Sequence, residues 1–368
     1  MPNFRDYYFK REASVGDSDT VIIDITAKDP VSFFTVEYEA TNGATSSIEK
    51  NPNDFITSIE LVDGADVIAS LDMAQWRGVN FFENKKLPPE VINEGAAAKQ
   101  EQRCNLQFGR YKDDLEFYLD PSLYKNLQMR LTHDFTVSAT AGIATGSVKV
   151  TVMARVIDQG AKPYKGYLMT KEISSFTISA TGDHVVDLPA DYPYRMLLIK
   201  SLLTAYTPQE CITKLKLSCD ADAHVPINDY VEDIVDMNEQ RFGRAVQDVT
   251  VFSQDDEAEK TDIYDIRHAT ARPSADENMI TVEAVDAETV SFGVYTFSAP
   301  ATPALVATDH DIYVHVEGQC PNAMFAIPFG DINDPEAWFD ARMYGDIKLV
   351  LTKAQNAACS VMVQQLRG

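Results

Sequence analysis

The chain has 368 residues, 45% of them hydrophobic, enough for two domains of ordinary size with a core in each. Fifty-six acidic residues against 32 Lys and Arg give a formal charge of −24. With no run of Lys and Arg, this excludes an ordinary nucleic-acid-coating surface, because phosphate contacts carry the affinity of such proteins. No stretch reaches the ~20 apolar residues of a membrane span. Residues 1–10 (MPNFRDYYFK) are interrupted by Arg5 and Asp6, unlike a secretory signal, so the chain reads as soluble and made in a cytoplasm.

Segment 1–14 interleaves Arg5, Lys10 and Arg11 with Phe4, Tyr7, Tyr8 and Phe9. Such a leader could touch nucleic acid or lipid, but reads more simply as an end strand or an arm packed on a neighbouring subunit. Beyond it, strand signals outnumber helix signals. Runs 20–27, 32–40, 55–62, 147–156, 176–180, 196–203 and 212–218 are β-branched, aromatic or alternating, and 248–252, 279–284, 289–297, 312–317 and 346–352 follow. Most are bounded by turn residues such as Asn42-Gly43, Asn51-Pro52 and Asp63-Gly64. Many short strands at close turn spacing predict an all-β sandwich or barrel. Helical candidates are few: 89–103 and 229–240, the second with Tyr230, Ile234 and Met237 on one face and acids on the other.

An internal repeat organises these elements. Residues 108–132 read FGRYKDDLEFYLDPSLYKNLQMRLT and residues 329–352 read FGDINDPEAWFDARMYGDIKLVLT. Each opens with Phe-Gly, crosses an acidic stretch to an aromatic cluster (Phe117, Tyr118; Trp338, Phe339), and then carries Asp120 or Asp340, Tyr124 or Tyr344, and a strand ending in Leu-Thr. Each is followed by a closing strand, 147–156 or 360–366. A weaker echo relates 70–80 (SLDMAQWRGVN) to 218–228 (SCDADAHVPIN). The stretch 157–171, with Gly160, Pro163 and Gly166, reads as a linker. The expected organisation is an arm at 1–14, a first half at 15–158, a linker at 159–171 and a second half at 172–368. The second half is longer because of 242–319, expected to be a projecting loop with the acid-rich run 255–265.

Chemistry is sparse. Cys104, Cys211, Cys219, Cys320 and Cys359 show no C-x-x-C spacing and read as reduced, buried thiols. Asp309-His310-Asp311 with His315 is the nearest approach to a histidine site, but an odd separation on a strand puts the two imidazoles on opposite faces. Asp255-Asp256-Glu257 lacks the alternation and glycine of a calcium loop. No nucleophile elbow, zincin, Walker or Rossmann pattern occurs. Trp76 and Trp338 could stack on sugars, though packing is the simpler role; Tyr124 and Tyr344 read as core anchors, with a contact between the halves as the alternative. No catalytic, cofactor-binding or metal-binding residue is assigned.

Through Phe108-Gly109 with 120–132, and Pro328-Phe329-Gly330 with 340–352, the chain resembles the double jelly-roll major capsid proteins of the adenovirus–tectivirus lineage. The phrase Met343-Tyr344-Gly345-Asp346-Ile347-Lys348-Leu349 looks especially like the turn and strand of such proteins. The resemblance implies two tandem eight-stranded jelly-roll β-sandwiches with a few short helices, standing perpendicular to a shell. It implies a homotrimer that forms a pseudo-hexagonal capsomer and meets neighbouring capsomers and minor capsid or penton proteins. The location would be the virion after assembly in a host cytoplasm, without catalysis, cofactor or sequence-specific nucleic-acid binding. The 242–319 segment would then be an outward tower with Asp255, Asp256, Glu257 and Glu259 in solvent, and the leader would face an internal membrane or a neighbouring capsomer. The alternatives are a minor capsid or spike protein, and a carbohydrate-binding or carbohydrate-active tandem sandwich; a carbohydrate-active one would need a carboxylate pair ~5–10 Å apart.

Overall fold

The computed structural model describes residues 3–44, 51–93, 96–136, 142–177, 182–253, 258–273, 278–285, 287–298, 302–305 and 310–368. Alternation builds most of its elements. Strand Leu127–Asp134 buries Leu127, Met129, Leu131 and His133 and leaves the residues between them partly exposed, the two-residue period of a strand with one dry face.

Asn3–Ser14, Lys149–Gln159, Val31–Thr41 and Lys99–Gln107 pair antiparallel in that spatial order. A second sheet consists of Ser18–Asp24, Leu127–Asp134, Ile56–Asp63 and Asp66–Leu71. Phe34, Val36, Tyr38, Met129, Leu131 and Val152 fill the space between the two, each worth about 1.5–3 kcal/mol of burial. The second half repeats the plan. One sheet is Tyr167–Thr177, Ala358–Arg367, Tyr194–Leu202 and Met324–Pro328. The other is Gly182–Asp187, Ile347–Lys353, Ile212–Cys219 and His224–Tyr230, over Leu197, Ile199, Leu215, Leu349 and Val361. In both halves the eight strands follow the same chain order and the same spatial order, two sheets closed over one core as a jelly roll. The rolls join where Asp66–Leu71 meets Tyr167–Thr177 through one parallel pair, Ser70 with Lys171, so that two sheets run on as a single sheet of eight strands.

Each roll sets a twelve-residue helix after its fifth strand, Met73–Asn84 and Val231–Phe242. Asp72 starts the first: its Oδ1 accepts from Gln75 N at 2.6 Å, and Asp72 N donates to Gln75 Oε1 at 2.9 Å. Between helix and sixth strand the first roll uses only residues 85–98, whereas the second inserts seven strands among the described residues. Ala245–Ser253, His310–Pro321 and Ile263–Pro273 form one small sheet; Ala258–Lys260, Thr289–Ser298 and Asn278–Val285, with Thr302–Leu305 on Thr289–Ser298, form another.

Four expectations change. The leader is an end strand of its own roll, not an arm, because its residues pair with Lys149–Gln159 along their length. The described residues of 89–103 form no helix; the C-terminal part belongs to strand Lys99–Gln107, where Gln100, Gln102 and Cys104 alternate inward. The real helix, Met73–Asn84, covers part of the 70–80 echo, whereas 218–228 runs from the end of strand Ile212–Cys219 through a turn into strand His224–Tyr230; the two copies are not structural equivalents. The 242–319 segment is a strand-built insertion rather than a loop, and Val249, Ile263, Ile312, Val314 and Val316 at its base pack into the first roll's core.

Candidate functional site

The repeated segments make the same local structure twice. Asp120 Oδ1 accepts from Ser122 N at 2.9 Å and opens the short turn Pro121–Leu123; Asp340 Oδ1 accepts from Arg342 N at 3.3 Å and opens Ala341–Met343. Tyr124 N then donates to Pro121 O, and Tyr344 N to Ala341 O. Leu119 bridges to Val31 and Phe339 to Tyr194, at the start of each roll's third strand. These bridges fix a residue-by-residue equivalence that the ladders extend. Thr35 lies opposite Met153 and Asn105, as Leu198 lies opposite Met362 and Ala326.

The helices obey the same equivalence. Asn80 Nδ2 donates to Asn105 O, and Asn80 Oδ1 accepts from Asn105 N, both at 2.7 Å. Asn238 makes the corresponding pair with Ala326 O and N, both at 2.8 Å. Each asparagine ties its helix to the backbone of the sixth strand in its roll. The sequence signal for this tie is an Asn at the eighth position of both helices, invisible until both helices are located.

The two rolls meet across an extended buried contact. Helix Met73–Asn84 is buried there on all sides, under Met324, Met362 and Met196 of the second roll, which join the first roll's core. Gly78 lets Met324 approach this closely, since a Cβ there would stand 2.3 Å from Met324 Sδ and that side chain would have to shift. At the centre lies a buried polar clamp. Arg195 donates to Ile332 O at 2.8 Å, Gln364 Oε1 at 2.7 Å and Arg110 O at 2.7 Å, with Glu83 3.9 Å away. Gln364 Nε2 donates to Glu83 Oε1 at 2.8 Å and Thr170 Oγ1 at 3.0 Å. Burial pushes the Glu83 carboxyl up to about 7 against the pull of Arg195. A raised carboxyl is a common mark of catalysis, but Glu83 and Arg195 have wholly enclosed side chains that no ligand reaches. Their role is to hold the rolls in one relative position.

A second buried cluster roots the insertion on the first roll. Arg77 pairs with Glu90 and lies 3.8 Å from Asp262, which also accepts from Asn51, Asn53 and, at 2.9 Å, Gln247.

The residues singled out in the sequence fall as follows. All five cysteines are buried free thiols, and burial pushes Cys211 up to about 11. Trp76 and Trp338 are buried, with Trp338 Nε1 donating to Asp331 O at 3.0 Å, so neither offers a face to a sugar. Tyr344 stacks between Phe339 and His224 in the second roll. Tyr124 packs against the first roll's core beside Tyr167, the first residue of the second roll's opening strand, and thus stands at the junction. His315 lies 2.7 Å from Asp248 and 3.3 Å from Glu317, whose hydrogen bonds raise its pKa; His310 pairs by backbone with Ser253 farther along the strand. Asp255, Asp256 and Glu257 lie outside the described residues. Among the described residues no group of three or more His, Cys, Asp or Glu is placed to hold a metal ion.

No family model matches the sequence, and no curated protein does. Solved structures do. A chain from the atomic structure of Sulfolobus Turreted Icosahedral Virus matches with TM-score 0.61 and 10% identity, over 98% of this chain and 90% of that one. The STIV MCP matches with TM-score 0.59 and 9% identity, over 99% and 96%. The major capsid protein of bacteriophage PM2 matches with TM-score 0.54 and 10% identity, over 100% and 98%. The likeness runs through both halves and the crossover between them, so the chain has the double jelly-roll fold found in these viral coat proteins.

Proposed function

We propose that the chain is a major capsid protein that trimerises into pseudo-hexagonal capsomers and tiles an icosahedral shell, without a catalytic role. The observation that carries this reading is the head-to-tail join of two equivalent rolls, which presents two similar blocks side by side. Full-length likeness to coat proteins of similar extent supports it. A buried polar clamp and a methionine-rich seam supply the rigidity a tile needs.

On this reading the chain works in the virion after assembly in a host cytoplasm. Its partners are two further copies, neighbouring capsomers, and minor capsid or penton proteins. The end strand Asn3–Ser14 carries the basic and aromatic side chains that would face an internal membrane or a neighbour. The rolls divide at the crossover between strands Lys149–Gln159 and Tyr167–Thr177, shorter than the 159–171 linker expected from sequence, and the insertion at about 242–319 forms the outward tower.

Light scattering combined with negative-stain electron microscopy of purified protein tests this. Three chains per particle and a six-lobed outline are expected; a monomer that binds glycans on an array would overturn the reading.

A further inference from the structure

We propose that the seat of the insertion on the first roll is a proton-controlled latch, in which Glu90 holds a proton while the insertion is fixed and gives it to solvent when the insertion loosens. The proposal concerns one chain and holds whatever the assembly.

Stretches of chain distant in sequence meet at this seat. The first roll supplies Asn51 and Asn53 from the turn before strand Ile56–Asp63, Arg77 from helix Met73–Asn84, and Glu90 from the connection 85–98. The insertion supplies Gln247 and Asp262, and Asn322 stands where the chain returns to the second roll. Asp262 is the hub. Its carboxylate accepts from Asn51, from Asn53 at 2.5 Å and from Gln247 at 2.9 Å. Its N–H donates to Gln247 Oε1 at 2.7 Å, and its carbonyl accepts from Asn322 N at 2.5 Å. Arg77, whose side chain is wholly enclosed, pairs with Glu90 and lies 3.8 Å from Asp262. Its Nη1 donates to Arg103 O at 3.0 Å. Asp262 is thus tied down by three neutral amides, whereas Glu90 leans chiefly on the guanidinium that the two acids share.

Two carboxylates on one enclosed guanidinium leave a surplus negative charge in a dry site, which burial makes costly. A proton on Glu90 removes that charge. Burial, with Asp262 beside it, pushes the Glu90 carboxyl up to about 7 against the pull of Arg77. The neighbouring groups do not take over this role. Burial pushes Tyr38, Tyr264 and Cys104 up, away from neutrality. Asp54 and Glu288 act on Tyr264 as further acids, so Arg77 faces four carboxyl groups at this seat. Glu90 also lines a surface depression of about 440 Å³ with Lys85, Lys86, Arg244 and Asp248, which gives its proton a path to solvent without unfolding. The remaining grip of the insertion on the first roll is apolar, through Val249, Ile263 and Ile312, and does not titrate. Because the folded value lies above the ordinary 4.5, attachment is full below about pH 4.5 and weakens as pH rises through 7. The insertion then opens as a local unit while both rolls stay folded.

Hydrogen exchange read by mass spectrometry at pH 5 and pH 8 tests the latch, with rates corrected for the intrinsic effect of pH. In wild type, protection factors of strands Ala245–Ser253 and Ile263–Pro273 should fall roughly 50-fold between the two pH values, beyond any change in strand Ile347–Lys353 of the second roll. Glu90→Gln, which imitates the protonated acid, should remove that fall. Asp262→Asn, which takes away the surplus charge from the other side, should remove it as well, and thermal unfolding checks that each variant folds. Glu83→Gln, at the contact between rolls, should leave it in place. Wild-type protection that is the same at both pH values, or that falls equally in the reference strand, would overturn the proposal. So would a fall that survives Glu90→Gln or disappears with Glu83→Gln.

Discussion

The outer faces of the two rolls occupy equivalent positions and have opposite character. On roll two the face carries Met169, Met196, Leu198, Met324 and Met362, each at most 2% exposed and merged with the other roll's core. On roll one the same positions hold Arg5, Phe33, Thr35, Arg103 and Met153, among Glu37, Glu39 and Lys149. A duplicated scaffold thus has one copy of a surface sealed within the chain and one copy left wet, and residue chemistry follows that use rather than the fold.

The sharpest way to break the comparison is to make the sealed face resemble the wet one. Met324→Arg places a guanidinium against Gly78 with no partner and should cost on the order of 4 kcal/mol in urea unfolding; Arg103→Met, the reverse change on the wet face, loses only partly exposed ion pairs with Glu37 and Glu101 and should cost the monomer no more than ~1 kcal/mol. Next come the helix ties. Asn80→Ala and Asn238→Ala each strand a backbone N–H and C=O, so each should lose about 1–3 kcal/mol, and by similar amounts if the rolls are true equivalents. A large difference between them would show that the equivalence ends at the backbone.

The clamp gives a smaller, pH-dependent effect. Glu83 has a folded pKa of about 7, above its ordinary 4.5, so the stability it lends is full below about pH 4.5 and is lost as pH rises through 7. Wild type should therefore lose stability between about pH 5 and pH 8 relative to Glu83→Gln, on the order of 2 kcal/mol, read from urea midpoints at the two pH values. Smallest of all, Met237→Lys, at a half-exposed position, should change monomer stability by less than ~0.5 kcal/mol in urea unfolding.

Much of this architecture is legible in the sequence, and the exceptions have physical causes. The Phe-Gly, Asp, Tyr and Leu-Thr unit is readable because each residue is held locally: Gly330 at φ 58° under the Ala337 carbonyl, Asp120 and Asp340 as turn caps, and Leu131 and Leu351 inside alternating strands. Helix Met73–Asn84 escapes because a helix buried on every side has no polar stripe, and Gly78 lowers its apparent propensity. Strand Lys99–Gln107 reads as a helix because glutamines fill its inward positions. Strand His224–Tyr230 is hard to see for the opposite reason: almost nothing along it is buried. The clamp is out of reach of sequence, since Glu83, Arg195 and Gln364 converge only through the crossover between rolls.

If the chain closes into the capsomer proposed above, the Ser70–Lys171 contact between rolls recurs between chains. Its equivalents are Asn228 and Tyr7, and all five native thiols are buried. The double variant Tyr7→Cys/Asn228→Cys under mild oxidation tests the claim most directly. The account predicts disulfides between chains that end at a closed three-chain species, with neither single variant forming it. Trimers that assemble normally yet form no such link would contradict it.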